Sequence, residues 1–150
     1  MTLSKDPAFL RSIIIDHYDA PNKKVKEQPK GYIKLQNKSA TCIDDITIYI
    51  KYHDKIIDDI VFSGIGCAIS TSSTDIMAEM LVNKSFDEAF KILNNYLAMV
   101  SGDSYDEDIL DELIAFYKIN EQPNRIKCSQ IGILAIYNCL KDIVTENEIQ

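Results

Sequence analysis

The chain has 150 residues, 46% of them hydrophobic and 26% charged, enough for one folded domain with its own core. A formal net charge of −7 argues against nonspecific binding to nucleic acid or an anionic membrane and is compatible with a basic protein partner. Residues 1–6 lack the charged-then-apolar pattern of a signal peptide, no apolar run could span a bilayer, and four cysteines without a secretory segment favour reduced thiols in a cytoplasm.

Residues 7–18 carry Phe9, Leu10, Ile13, Ile14 and His17 at helical spacing, with Pro21 just past the end, and predict a first helix. Residues 22–30 are polar, contain Pro29, and read as a surface connection. Three runs of alternating residues follow, at 32–36, 46–51 and 56–62. The last two are separated by a short polar turn around His53, Asp54 and Lys55, which predicts a hairpin with the first run paired beside it. From Ile69 the period becomes helical, marked by Ile76, Met77 and Met80. Ser85-Phe86-Asp87-Glu88 reads as a capping box opening a further helix, whose apolar face is Phe86, Ala89, Phe90, Leu93, Leu97 and Val100 and whose end is at Gly102. An acidic stretch, residues 103–112, reads as a solvated loop leading into a short helix near Tyr117, and the last helix is expected to start close to Lys127. The expected fold is one α+β domain over residues 1–150, a small antiparallel three-stranded sheet packed against a set of helices.

Against this layout the cysteines stand out. Cys42, with Asp44 two residues later, lies in the loop entering the central strand; Cys67 follows Gly64 and Gly66 and opens a helix; Cys128 is expected to open the last one. Helix N-termini favour thiolate over thiol, and Arg125 and Lys127 add positive charge beside Cys128. Three thiolates and one carboxylate are a tetrahedral donor set for a borderline-soft ion, if they converge. Cys139 serves as a control: eleven residues after Cys128, roughly 16 Å along a helix axis, it falls on the apolar stripe of Ile131, Ala135, Ile136 and Ile143 and reads as a buried hydrophobe. Read alone, Asp44 could also be a turn residue. His17 reads as a packed histidine with a satisfied ring rather than a further ligand, and His53 as a solvated turn residue. Arg125 either faces a partner or is ordinary surface. No serine–histidine–aspartate set, phosphate loop or paired-carboxylate signature is present.

Residues 10–18 (LRSIIIDHY) with Pro21, then Thr-Cys42-Ile-Asp44, Phe62-Ser-Gly-Ile-Gly-Cys67-Ala-Ile-Ser and Arg125-Ile-Lys-Cys128, resemble the iron–sulfur assembly proteins of the IscU/NifU N-terminal superfamily, in order and over nearly the whole chain. Cys67 and Cys128 are 61 positions apart, and Lys127 stands where IscU scaffolds carry histidine; both traits are similar to the SufU branch. Ile43 departs from the glycine usual between the first cysteine and the aspartate. The resemblance implies a SufE/NifU-like fold and a zinc ion held by Cys42, Asp44, Cys67 and Cys128. It also implies a sulfur-carrier activity in which Cys42 takes persulfide sulfur from a SufS-type, pyridoxal-phosphate cysteine desulfurase for the downstream assembly machinery. Two rivals stay open at this point: a scaffold building a [2Fe–2S] cluster, with iron, on the same cysteines, and a structural zinc module.

Overall fold

The structure is a computed structural model that describes residues 3–38 and 43–149. The elements run α1 (Pro7–Asp19), β1 (Ile33–Lys38), β2 (Asp45–His53), β3 (Ile56–Ile65), α2 (Ala68–Leu81), α3 (Phe86–Val100), three short 3-10 turns between residues 107 and 121, and α4 (Pro123–Ile149).

The three alternating runs form one antiparallel meander in the order β1-β2-β3. Its central strand buries Ile46, Ile48 and Ile50, which pair across β3 with Gly64, Phe62 and Ile60. The β2–β3 turn places Asp54 at φ 47° and Lys55 at φ 59°, the two left-handed residues that a tight hairpin matched to strand twist requires. The connection at residues 22–30 is more than surface chain. The Lys23 carbonyl accepts from Phe62 N–H, and Val25 N–H donates to the Phe62 carbonyl, so this segment covers the free edge of β3.

A cluster of side chains ties that segment down. Lys23 Nζ lies 2.7 Å from Asp59 Oδ1, and the Tyr32 hydroxyl donates to Asp59 Oδ2 at 2.5 Å. Partial burial opposes ionisation of Asp59, yet its bonds to Lys23 and Tyr32 prevail and hold the carboxyl below its ordinary range. Its depressed pKa therefore adds stability above the unfolded value of about 4, and that stability is lost as pH falls through the folded pKa. Asp59→Asn should lose a modest part of the stability at neutral pH and flatten the acid limb of the urea midpoint. An unchanged acid limb in the variant would contradict this reading.

The helices pack on one face of the sheet and share a single hydrophobic core with it. Asp6 caps α1 through Phe9 N–H and Pro7 occupies the first turn, and Leu10, Ile13 and His17 face inward while Phe9 is exposed. On α3 the capping box forms as expected, Ser85 Oγ accepting from Glu88 N–H and Glu88 accepting from Ser85 N–H. Its buried face is centred on Ala89, Leu93, Tyr96 and Val100, rotated from the sequence expectation so that Phe90 and Leu97 are only partly covered.

Helix α2 is buried on all sides over residues 70–78, although much of that stretch reads as polar. Ser70, Thr71, Ser72, Ser73, Thr74 and Asp75 are all buried. Their hydroxyls fold back on the helix: Ser72 Oγ donates to the Ala68 carbonyl at 2.5 Å and Thr74 Oγ1 to the Ser70 carbonyl at 2.6 Å. With their polar atoms satisfied in this way, short side chains let neighbouring helices approach closely. At the α2–α4 contact a Cβ on Gly132 would stand 1.8 Å from Thr74 Oγ1, so only glycine fits.

Helix α4 begins at Pro123, four residues before the expected start. Proline is at home in a first helical turn because the N–H it lacks would have no partner there. Among the described residues no helix is long and apolar enough to cross a membrane.

Candidate metal centre

The register of β2 on β3 builds one side of the site. Asp45 pairs with Ile65, so Asp44, one residue before β2, comes level with the residues that leave β3. Gly64 makes the exit possible: its φ is +116°, and a Cβ there would meet the Asp45 carbonyl oxygen at 2.0 Å. Cys67 is then the N-cap of α2, its sulfur accepting from Ser70 N–H at 3.5 Å. The Asp44 carboxylate accepts the Cys67 N–H at 2.9 Å with one oxygen and stands 3.9 Å from Cys67 Sγ with the other. Asp44 is thus a ligand-capable carboxylate buried at 1% exposure, held in place by a backbone donor at the head of a helix.

Cys128 completes the described group from α4. One donor atom each from Asp44, Cys67 and Cys128 all lie within 4.8 Å of one another. The three residues, separated by up to 84 positions in sequence, are brought together as expected. The early start of α4 alters the reasoning for Cys128, which sits in the second turn and is buried rather than opening the helix. Helix-end charge is therefore not what would make it a thiolate. Burial pushes its thiol up to about 12, with the charges and hydrogen bonds of Cys67 and Asp44 adding to the effect. The donor atoms of this group are close enough together to hold one cation. Two thiols and a carboxylate are the donors a zinc or iron ion takes, so the residues present fit such a group.

Cys42 lies outside the described residues. Ile43 beside it is 75% exposed, so its bulk points to solvent while Asp44 stays buried. Ile65, 64% exposed, adds a second apolar side chain on the neighbouring strand. Arg125 and Lys127 are exposed; Arg125 lines, with Lys118, Ala68 and Ile69, a cleft of about 340 Å³ that runs from the head of α2.

The sequence profile of the NifU-like N terminal domain matches residues 10–143. The chain belongs to this family. Across 145 residues, 96% of this chain and 87% of the relative, the NifU-like domain is 31% identical to the iron–sulfur cluster assembly scaffold protein IscU of Streptococcus pyogenes. It is 30% identical over 127 residues, 84% of this chain and 85% of the relative, to the zinc-dependent sulfurtransferase SufU of Bacillus subtilis. A solved structure of a putative iron–sulfur cluster assembly scaffold protein for the SUF system from Fervidobacterium islandicum matches with TM-score 0.76 at 29% identity, covering 85% of this chain and 93% of that one.

The remaining candidates of the NifU-like domain fall elsewhere. Cys139 is buried among apolar residues, as its control role required, and burial pushes its thiol up to about 12. His53 is largely solvated and pairs with Asp58 at 2.6 Å. His17 is a buried histidine with both ring nitrogens partnered, Nδ1 to Asp75 at 2.5 Å and Nε2 to Glu112 at 3.3 Å. The acidic stretch is correspondingly not all solvated loop, since Glu112 reaches back to α1 and Glu107 pairs with Lys5. The sequence reading did not foresee that His17, Asp75 and Glu79 converge. The only hint was Asp75 and Glu79 four apart on one predicted helix face.

Proposed function

We propose that this chain, read as one domain over residues 1–150, is a zinc-dependent sulfur acceptor in iron–sulfur cluster assembly. Zinc would be held by Cys42, Asp44, Cys67 and Cys128, and sulfur would be received on Cys42. The convergence of Asp44, Cys67 and Cys128 beneath the entry to β2 carries this reading. Cys42 is two positions before Asp44, so covalent geometry keeps their Cα atoms within about 7 Å. When bound, zinc supplies a redox-inert charge that stabilises the sulfurs as thiolates.

The chain's own residues supply the rest. Asp44, fixed by the Cys67 N–H, is a harder ligand than a fourth cysteine and makes the donor set less closed. The Cys42 thiolate attacks the outer sulfur of the persulfide on a pyridoxal-phosphate cysteine desulfurase of the SufS type. A new sulfur–sulfur bond forms on Cys42 as the desulfurase's bond breaks. The electron pair leaves on the desulfurase thiolate, so no external oxidant or reductant is consumed. Exposed Ile43 and Ile65 and the cleft bearing Lys118 and Arg125 offer a mixed apolar and basic surface beside the site for such a partner. The chemistry needs reduced thiols, which fits a cytoplasmic setting. The persulfide then passes to the downstream assembly machinery.

The scaffold name of the Streptococcus pyogenes relative supports a second reading, assembly of a [2Fe–2S] cluster on the same cysteines. Lys127, in place of a histidine beside the last cysteine, favours the carrier. Transfer of labelled sulfur from a cysteine desulfurase to the wild-type chain and to Cys42→Ala tests the proposal.

A further inference from the structure

A second group of ligand-capable side chains lies where α1 crosses α2. His17 Nδ1, a carboxylate oxygen of Asp75 and one of Glu79 lie within 4.8 Å of one another. We propose that these three residues form a second, sulfur-free site for a divalent transition-metal ion of the manganese or ferrous class. Asp75 and Glu79 stand four apart on one face of α2, and His17 faces them from the last turn of α1. Nδ1 is 2.5 Å from Asp75 Oδ2 and 3.9 Å from Glu79 Oε1. Burial opposes the charged ring, yet Asp75 and Glu112 prevail and favour the protonated form of His17, so an ion must displace that proton; the neutral imidazole and two carboxylates then carry two negative charges, matched to a divalent cation. Without a sulfur donor the set suits harder ions than the thiol site does.

The surrounding bonds are those that orient metal ligands. The far ring nitrogen of His17, Nε2, stands 3.3 Å from Glu112 Oε1, leaving Nδ1 as the inward-facing donor. Asp75 Oδ1 accepts the Lys23 N–H at 2.7 Å, leaving Oδ2 toward the site. The Asn22 side-chain amide donates to Glu79. Asp75 is fully buried and Glu79 partly exposed, so the group is closed at its base and open at its mouth. A cleft of about 300 Å³ lined by Asp16, His17, Asp19, Ala20 and Asn22 opens on the histidine, bringing two more carboxylates to the approach. At 2.5 Å, Nδ1 and Oδ2 are spaced for a shared proton. Two donors each about 2.1 Å from an ion lie about 3 Å apart, so occupancy asks for an opening of about half an ångström.

The test is a titration of the purified full chain with Mn²⁺, followed by electron paramagnetic resonance. Manganese is chosen because it disfavours thiolates, so the readout does not depend on the thiol site or on sulfur transfer. The expected result is one bound Mn²⁺ per chain showing coupling to an imidazole nitrogen, with affinity weakened at least about ten-fold in Glu79→Gln. Glu79 is partly exposed, so this variant retains the fold, which circular dichroism would verify. Absence of bound Mn²⁺ up to millimolar concentration overturns the site, and so does unchanged affinity in Glu79→Gln. In either case His17 and Asp75 are a structural ion pair.

Discussion

Cys42→Ala should fold like the wild type and lose the ability to take sulfur from a cysteine desulfurase, by at least about a hundred-fold in the initial rate of label transfer. The expected size follows from the role assigned: a nucleophile removed outright leaves no group to form the new bond, and residual transfer would have to use a poorer sulfur. Cys67 caps α2 and Cys128 is buried, which ties both sulfurs to the helices that carry them. Matched changes at those two positions should instead weaken metal binding and stability together. The fold should survive because the sequence reading sets Cys42 in the loop before β2 and outside any strand or helix. Retained transfer in Cys42→Ala would remove Cys42 from the mechanism. Lost transfer accompanied by unfolding would make it structural.

Gly132→Ala should be strongly destabilising, against the usual sign for that change. In an exposed helix, glycine to alanine gains about 1 kcal/mol. Here the new Cβ would lie 1.8 Å from Thr74 Oγ1 and 2.8 Å from Thr74 Cβ. Thr74 is fully buried, and its hydroxyl is bonded to the Ser70 carbonyl at 2.6 Å, so it has no easy rotation away. Helices α2 and α4 must move apart, at a cost of about 3 kcal/mol, which lowers Tm by roughly 6–12 °C in a chain of this size. Because Cys128 lies one turn before Gly132, the same displacement should draw Cys128 away from Cys67 and weaken metal retention. Thr74→Ala in the same chain should recover part of both losses, measured by thermal unfolding and metal analysis in a double-mutant cycle. A Gly132→Ala chain as stable as wild type would show that the α2–α4 contact is looser than described.

The sheet was readable because strand burial repeats every second residue: Ile46, Ile48 and Ile50 alternate, and all three are buried. The capping box of α3 was readable because it is a local sequence pattern with a local hydrogen-bonding consequence. Helix α2 concealed its burial, since a Ser and Thr run reads as solvent-facing until its hydroxyls are seen bonding back to the helix. The start of α4 was placed late because the polar residues around Pro123 look like loop, and the one signal for an earlier start was the proline itself. Among the described candidate residues, Asp44 and Cys67 were legible as a carboxylate and a thiol at element junctions, whereas Cys128 lies in the second turn of α4 and not at its start. Cys42 stands on the sequence alone. The grouping of His17 with Asp75 and Glu79 depends on how α1 crosses α2, a long-range property that no local pattern encodes.

X-ray absorption at the zinc edge of freshly purified protein bears most directly on the thiol site. Three sulfurs at about 2.3 Å and one oxygen at about 2.0–2.2 Å around a single zinc per chain are the expected result. A shell with one sulfur or none, or a brown protein holding iron in place of zinc, would contradict it.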